Sequence, residues 1–352
     1  MKSLLCLILM SFVLLSFGCS FLEEKTRRKI QIYDFNQRKV IAVLNNFSPD
    51  RWREFPERYP DFKNKTFATC QRMSAQRTIL RKYTFRGEFI RQWDIPEDIT
   101  RFDNFSVRGE QLVYTEDFYD DKGAFKVRLM VRQLSDLNIP GIPISPNPTS
   151  QSLAAASFHI PPFIFLTDDT LLCLMEPDDD SGPLQLWKVL LTGEKTQLPY
   201  SVQGYLNELL SSDISGIYHA IQISQTEVLF MDNDANVITR LSVNFPIQET
   251  WWDDNHYYWA HDYLSGSYLC YDVERQSTKE HGKASAWNMN ESAWRVFRTF
   301  GRGQYTIVRK ELMMGFLRVK IQNKKGDIIG TLPWLSSRVI YLGDGIFIIE
   351  EQ

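Results

Sequence analysis

Long apolar runs are scarce in this chain of 352 residues. The strongest, Leu4–Phe17, covers fourteen positions, short of the roughly 20 that a helix needs to cross a bilayer. That argues against a membrane span and for the apolar core of a cleaved targeting signal, with Lys2 as its short positive lead. Residues 1–18 are therefore expected to leave the mature chain, residues 19–28 to act as a tether, and residues 29–352 to form one folded domain.

Cysteine is also sparse. Cys6 falls inside the signal, and Cys19 stands at its end. The remaining three, Cys70, Cys173 and Cys270, are too few and too widely spaced for a disulfide framework or a zinc site. Cys173 and Cys270 sit in apolar runs, where the side chain packs as a small hydrophobe. One bridge stays open as an alternative, because a secreted chain meets an oxidising compartment.

The glycine motifs of common enzymes are missing: there is no GxSxG elbow, no P-loop and no GxGxxG. Histidine is rare, at five residues, and His159, His219 and His281 stand alone. His256 and His261 are five apart, an odd separation that places them on opposite faces of a strand. No metal and no cofactor is expected. Positive charge is not in excess either: the net charge is −3, and −4 once residues 1–18 are removed. Nucleic acid is therefore not expected as a partner.

Helical signals are weak. Arg72–Arg81 and Asn207–Ser212 are the candidates for short helices, but neither carries a three-turn apolar stripe with caps.

What the chain does have is repetition. Polar turns between strand-like runs fall near Asn36, Gly87, Asp136, Gly193, Asp234, Gln276 and Gly326, at intervals averaging about 48 residues, a period that belongs to propellers and arrays. The clearest copy is Val319–Leu332, VKIQNKKGDIIGTL, which has the pattern of a β-hairpin. A second element recurs as short, continuous apolar runs: Gln111–Thr115, Leu171–Met175, Glu227–Met231, His256–Ala260, Tyr305–Val308 and Ile346–Ile349. Polar pairs precede several of them, including Arg108-Gly109, Asp168-Asp169, Asp253-Asp254 and Gly343-Asp344. Continuous runs suit strands covered on both faces, and alternating runs such as VITRLS and FIRQWD suit half-exposed ones.

Together these imply an all-β propeller, with seven blades as the preferred count and six or eight left open. The last strands, RVIYLG and GIFIIEEQ, lack a following hairpin, and the first hairpin, residues 29–44, lacks preceding strands. Head and tail are expected to share one composite blade and so remove two free edges.

Leu15-Ser16-Phe17-Gly18-Cys19 resembles the lipobox of bacterial lipoproteins, although Ser16 stands where that motif usually has leucine. The alternative is an ordinary secretory signal with a chance cysteine. The resemblance implies that Cys19 carries acyl chains (palmitate among them) and holds the protein on a membrane. Ser20 is, in that family's logic, permissive for the outer membrane. With the β repeats that follow, the chain resembles the broad class of bacterial lipid-anchored β-propellers. The WD and kelch signatures and the tryptophan-docking pattern of PQQ repeats are absent, so the resemblance is architectural and does not license a function.

The densest candidate for chemistry is WWDDNHYYWAHDY, Trp251–Tyr263. Trp251, Trp252, Asp253, Asp254, His256 and Trp259 would supply flat rings and carboxylates for a sugar or a peptide. The plainer reading makes the same residues two core strands and their turn, and it is preferred. Asp232–Asn236 starts like a calcium loop but has Val237 where glycine is required, so it reads as a hairpin turn. The preferred function is a non-enzymatic, lipid-anchored envelope module that binds another protein or a peptide, at the outer membrane facing periplasm or surface. The alternative is a carbohydrate-active propeller or lectin using the Trp251–Tyr263 stretch.

Overall fold

The structure is a computed structural model of the 352-residue chain. It describes residues 30–44, 54–56, 60–74, 77–96, 105–119, 121–123, 125–144, 149–150, 163–175, 183–202, 210–253, 256–262, 264–283, 295–300, 305–311, 317–323, 325–331 and 336–351. The expected signal, the expected tether and Cys19, the expected site of lipidation, lie outside these residues, as does Asp254.

Every regular element among the described residues is a β-strand, and the strands form seven antiparallel sheets arranged as a β-propeller. Six blades are meanders of strands consecutive in sequence. Blade 1 runs Glu54–Pro56, Thr66–Ser74, Arg77–Thr84 and Phe89–Ile95. Blade 2 runs Phe105–Arg108, Gln111–Tyr119 and Phe125–Gln133, with its outer edge split between Ile142–Pro143 and Thr149–Ser150. Blade 3 runs Phe163–Phe165, Thr170–Met175, Leu184–Leu190 and Lys195–Val202, and blade 4 Leu210–Ser212, His219–Gln222, Glu227–Met231 and Val237–Ser242. Blade 5 runs Glu249–Asp253, Tyr257–His261, Ser267–Asp272 and Ser277–Lys283, and blade 6 Arg295–Phe300, Tyr305–Glu311, Leu317–Asn323 and Ile328–Thr331.

Blade 7 is composite. Ser336–Gly343 and Ile346–Glu351 supply its first two strands, and Ile30–Asp34 and Lys39–Leu44 its outer two. The N- and C-terminal strands pair directly, Ile30 opposite Glu350 and Asp34 opposite Ile346.

Burial follows strand position, as the two kinds of run predict. All six residues of Thr170–Met175 are buried, because blades pack on both faces of a second strand. On the outer strand Val237–Ser242 only Leu241 is buried. The core is correspondingly divided into layers between neighbouring blades. Ile32, Phe67 and Ile348 join blade 7 to blade 1, Leu80 and Leu112 blade 1 to 2, and Val113 and Phe163 blade 2 to 3. Leu186 and Leu229 join blade 3 to 4, and Phe230 and Tyr258 blade 4 to 5. Trp251, Ile321 and Phe347 then close the circle through blades 5, 6 and 7. Cys70 and Cys173 are buried within these layers, Cys270 is buried in blade 5, and no two of the three are joined by a disulfide.

The seven turns read from the sequence all link third to fourth strands. In blades 1, 3, 4 and 6 they share one backbone pattern, in which residue i donates to the carbonyl of i+4 and residue i+3 donates back to i. The i+3 residue has positive φ in each: Gly87, Gly193, Ala235 and Gly326. This is the three-residue hairpin with a bulge, and its left-handed residue explains the recurrent glycine.

Among the described residues, the two segments suggested as helices are strands instead. Residues 72–74 and 77–81 belong to two antiparallel strands of blade 1, and residues 210–212 to the first strand of blade 4. Neither segment has an apolar stripe at helical spacing, so pairing with neighbouring strands decides its conformation.

Candidate functional site

In a four-stranded meander the first and third turns emerge at one end of the blade and the second turn at the other. The propeller therefore has a front face made of first and third turns and a back face made of second turns and blade-to-blade connections. The front turns of blades 1 to 4 enclose a cavity of about 260 Å³, lined by Pro60–Lys63, Arg108, Phe165–Asp168, Ser212, Asp213, Ser215–Ile217 and Asn233. That is slightly smaller than pockets for drug-sized ligands, which start near 300 Å³.

Arg108 fixes three of the four blades. Its Nη1 donates to Ser106 Oγ at 3.1 Å and Val107 O at 3.0 Å in blade 2, and its Nη2 to Pro60 O at 3.3 Å beside blade 1. Its guanidinium lies 4.6 Å above the Phe165 ring of blade 3. Planarity and a fork of donors make this possible for arginine and not for lysine. Outside this clamp, Lys63 of blade 1 forms an ion pair with Asp168 of blade 3; both heads are well exposed.

The blade 4 turn is the most elaborate. Asp213 is fully buried, and its carboxylate accepts from the backbone of Ile217 at 2.8 Å, Tyr218 at 3.0 Å and Ser215 at 3.3 Å, and from the Ser215 hydroxyl. Burial outweighs these bonds and raises its pKa to about 6. The turn reaches across the ring, since Ile214 packs with the core layer of blades 5, 6 and 7. Ile217 points to solvent at the cavity edge, 51% exposed.

Beneath this turn His219 is fully buried, with Nδ1 2.9 Å from Ser212 Oγ and Nε2 2.7 Å from Asn233 Oδ1. Burial lowers its pKa to about 4, so the ring is neutral, donating through Nε2 and accepting the Ser212 hydroxyl proton at Nδ1. The line Ser212–His219–Asn233 has the connectivity of a nucleophile with an oriented base. Its setting opposes that role. The imidazole takes up a proton only at acid pH, and the N–H groups of Ser215, Gly216, Ile217 and Tyr218 are spent on Asp213 rather than aimed at a developing oxyanion. The three side chains brace the cavity floor.

The Trp251–Tyr263 stretch falls in blade 5, and strand alternation divides it. Trp251 stacks on Trp259, centroids 5.7 Å apart and planes 4° apart, on the side of blades 6 and 7. Trp252 meets Tyr258 and Phe230 on the blade 4 side, and its Nε1 donates to Ser211 Oγ at 3.1 Å. Trp251 and Trp252 are buried, Asp253 is 3% exposed, and Trp259 and His256 are half-buried. His256 and His261 sit at opposite ends of one strand, near Glu274 and Glu249 respectively. His256, Asp272 and Glu274 place ligand-type atoms within 4.8 Å of one another, but Asp272 already holds Arg275, through its backbone at 2.9 Å and its guanidinium at 3.8 Å. The acidic turn Asp232–Asn236 is a hairpin turn, with Asp232 Oδ1 accepting from the backbone of Asp234 and Asn236.

Arg108 and Asp168 were visible in the sequence as members of polar pairs before apolar runs. Asn233 was visible only as part of the acidic hairpin turn Asp232–Asn236, and Ser212, Asp213 and His219 carried no motif.

No family model matches the chain, and no curated protein sequence does so. Among solved structures it is similar to the C-terminal WD40 domain of Sif2, at 10% identity over 89% of this chain and 86% of that one, with a TM-score of 0.45. It is also similar to BamB from Moraxella catarrhalis, at 10% identity over 89% and 88%, TM-score 0.43, and to Kluyveromyces lactis Hsv2, at 9% identity over 84% and 87%, TM-score 0.46. At such identities the likeness is one of fold alone.

Proposed function

We propose that the protein is a lipid-anchored binding module of a bacterial envelope, held by Cys19 and gripping a segment of another polypeptide in the front cavity between blades 1 and 4. One observation supports the recognition half. Of the buried and half-buried ionisable groups at and beneath the cavity, Arg108 braces turns of blades 1 to 3, and Asp213 and His219 brace the two front turns of blade 4, while Ile217, Lys63 and Asp168 remain exposed at the edge. A rigid floor with an apolar and a charged contact at its rim suits side-chain recognition, because little order has to be created on binding. The lipid half rests on the resemblance of Leu15–Cys19 to a lipobox.

A photo-crosslinking amino acid at Ile217 tests the cavity. In cells it is expected to trap one protein partner in stoichiometric yield, while the same probe at Leu264 on the back face traps none. Equal capture from both faces would refute the assignment.

A further inference from the structure

We infer that the amino-terminal tether leaves the propeller from the back face, so that the anchored protein turns its front cavity away from the membrane. The inference rests on the lipid-anchor reading and adds the side from which the partner approaches. In every other blade a hairpin or loop joins second to third strand at the back. In blade 7 that link is the gap between the chain ends: the second strand finishes at Glu351 and the third starts at Ile30, which faces Glu350. The turns at the far ends of the same strands, Asp344 after Gly343 and Asn36 after Phe35, belong to the front and touch each other, with Asn36 Nδ2 donating to Asp344 O.

Length makes the polarity matter. Eleven residues, 19–29, reach about 40 Å at full stretch, and strands of five to nine residues separate the faces by roughly 17–30 Å. A tether of that reach rooted at the back can let the body pivot, yet its root stays the nearest part to the lipid on average. The front cavity is then open to a polypeptide arriving from the aqueous compartment, and a bilayer-embedded segment meets the back face first.

Ile217 marks the front, at 51% exposure, and Leu264, in the second turn of blade 5, marks the back, at 63%. Each is replaced singly by cysteine in the full lipidated chain and labelled with a donor dye, since Cys70, Cys173 and Cys270 are buried. The protein is added to preformed vesicles carrying a headgroup acceptor. Energy transfer from Leu264→Cys is expected to exceed that from Ile217→Cys at least twofold, and equal or reversed transfer would overturn the orientation. Vesicle flotation keeps the two ideas separate. A chain that does not float lacks the anchor, which removes the tether reading and this inference with it. A chain that floats but shows no difference in transfer leaves the anchor standing and refutes the orientation alone.

Discussion

Ile32 lies opposite Ile348 in the ladder that joins the two ends of the chain, and both are buried against blade 1. The last strand is thus a core element of the same blade as the first. Ile348→Ala is expected to cost about 2–5 kcal/mol, the range for emptying a filled core site. Urea denaturation followed by tryptophan fluorescence checks it, and a loss below about 1 kcal/mol would mean that the ends do not share a core.

Gly87 shows how closely blades 1 and 7 approach. A Cβ there would stand 2.3 Å from Ala42 Cβ and 2.8 Å from Ile32 Cδ1, and its φ is +83°. Gly193 has the same turn geometry, with φ +100°, but open space around it. Gly193→Ala is expected to cost about 1–2 kcal/mol for backbone strain alone. Gly87→Ala should cost about 1–3 kcal/mol more, since it also overpacks a blade interface. Equal costs would place the interface elsewhere.

Asp213 and His219 titrate in opposite senses. The folded pKa of Asp213 is raised to about 6, so the native state binds a proton that the unfolded chain has released, and stability falls as pH rises from about 4 to 6. The folded pKa of His219 is lowered to about 4, so the unfolded chain binds the extra proton, and stability rises from about pH 4 to 6.5. Each effect is about 3 kcal/mol, from 1.36 kcal/mol per pKa unit, and in the native protein they nearly cancel. Relative to wild type, Asp213→Asn should gain that amount between pH 4 and 7, and His219→Gln should lose it. Thermal melts across this range decide the matter, and parallel curves for both variants would show that neither group is shifted.

The fold was legible because its turns constrain residue type. A left-handed residue three positions into a hairpin favours glycine, and that mark recurs at Gly87, Gly193 and Gly326. Second strands such as Thr170–Met175, covered on both faces, read as unbroken apolar runs, while the run Glu227–Met231 proved to be the third strand of blade 4 and the second strands of blades 1 and 4 carry polar residues. The cavity was not legible, because Arg108, Asp168, Asp213 and Asn233 come from three blades and their meeting depends on how those blades pack. The tryptophan stretch drew attention through density, but alternation sends Trp251 and Trp252 into separate core layers. The lipobox-like segment was read from residues alone, and its test is chemical.

Arg108→Lys separates charge from shape. A lysine keeps the positive head but cannot serve Ser106, Val107 and Pro60 together while lying flat on Phe165. The substitution is expected to cost about 1–2 kcal/mol of stability, from lost charge-assisted hydrogen bonds and ring contact. Because the clamp ties the turns of blades 1 and 3 to blade 2, the cavity rim should loosen with it. Hydrogen exchange is then expected to quicken at residues 60–66 and 165–170 and to stay unchanged in blade 5. A uniform change across the ring would mean that Arg108 contributes only to global stability, and no change at all would remove it from the clamp.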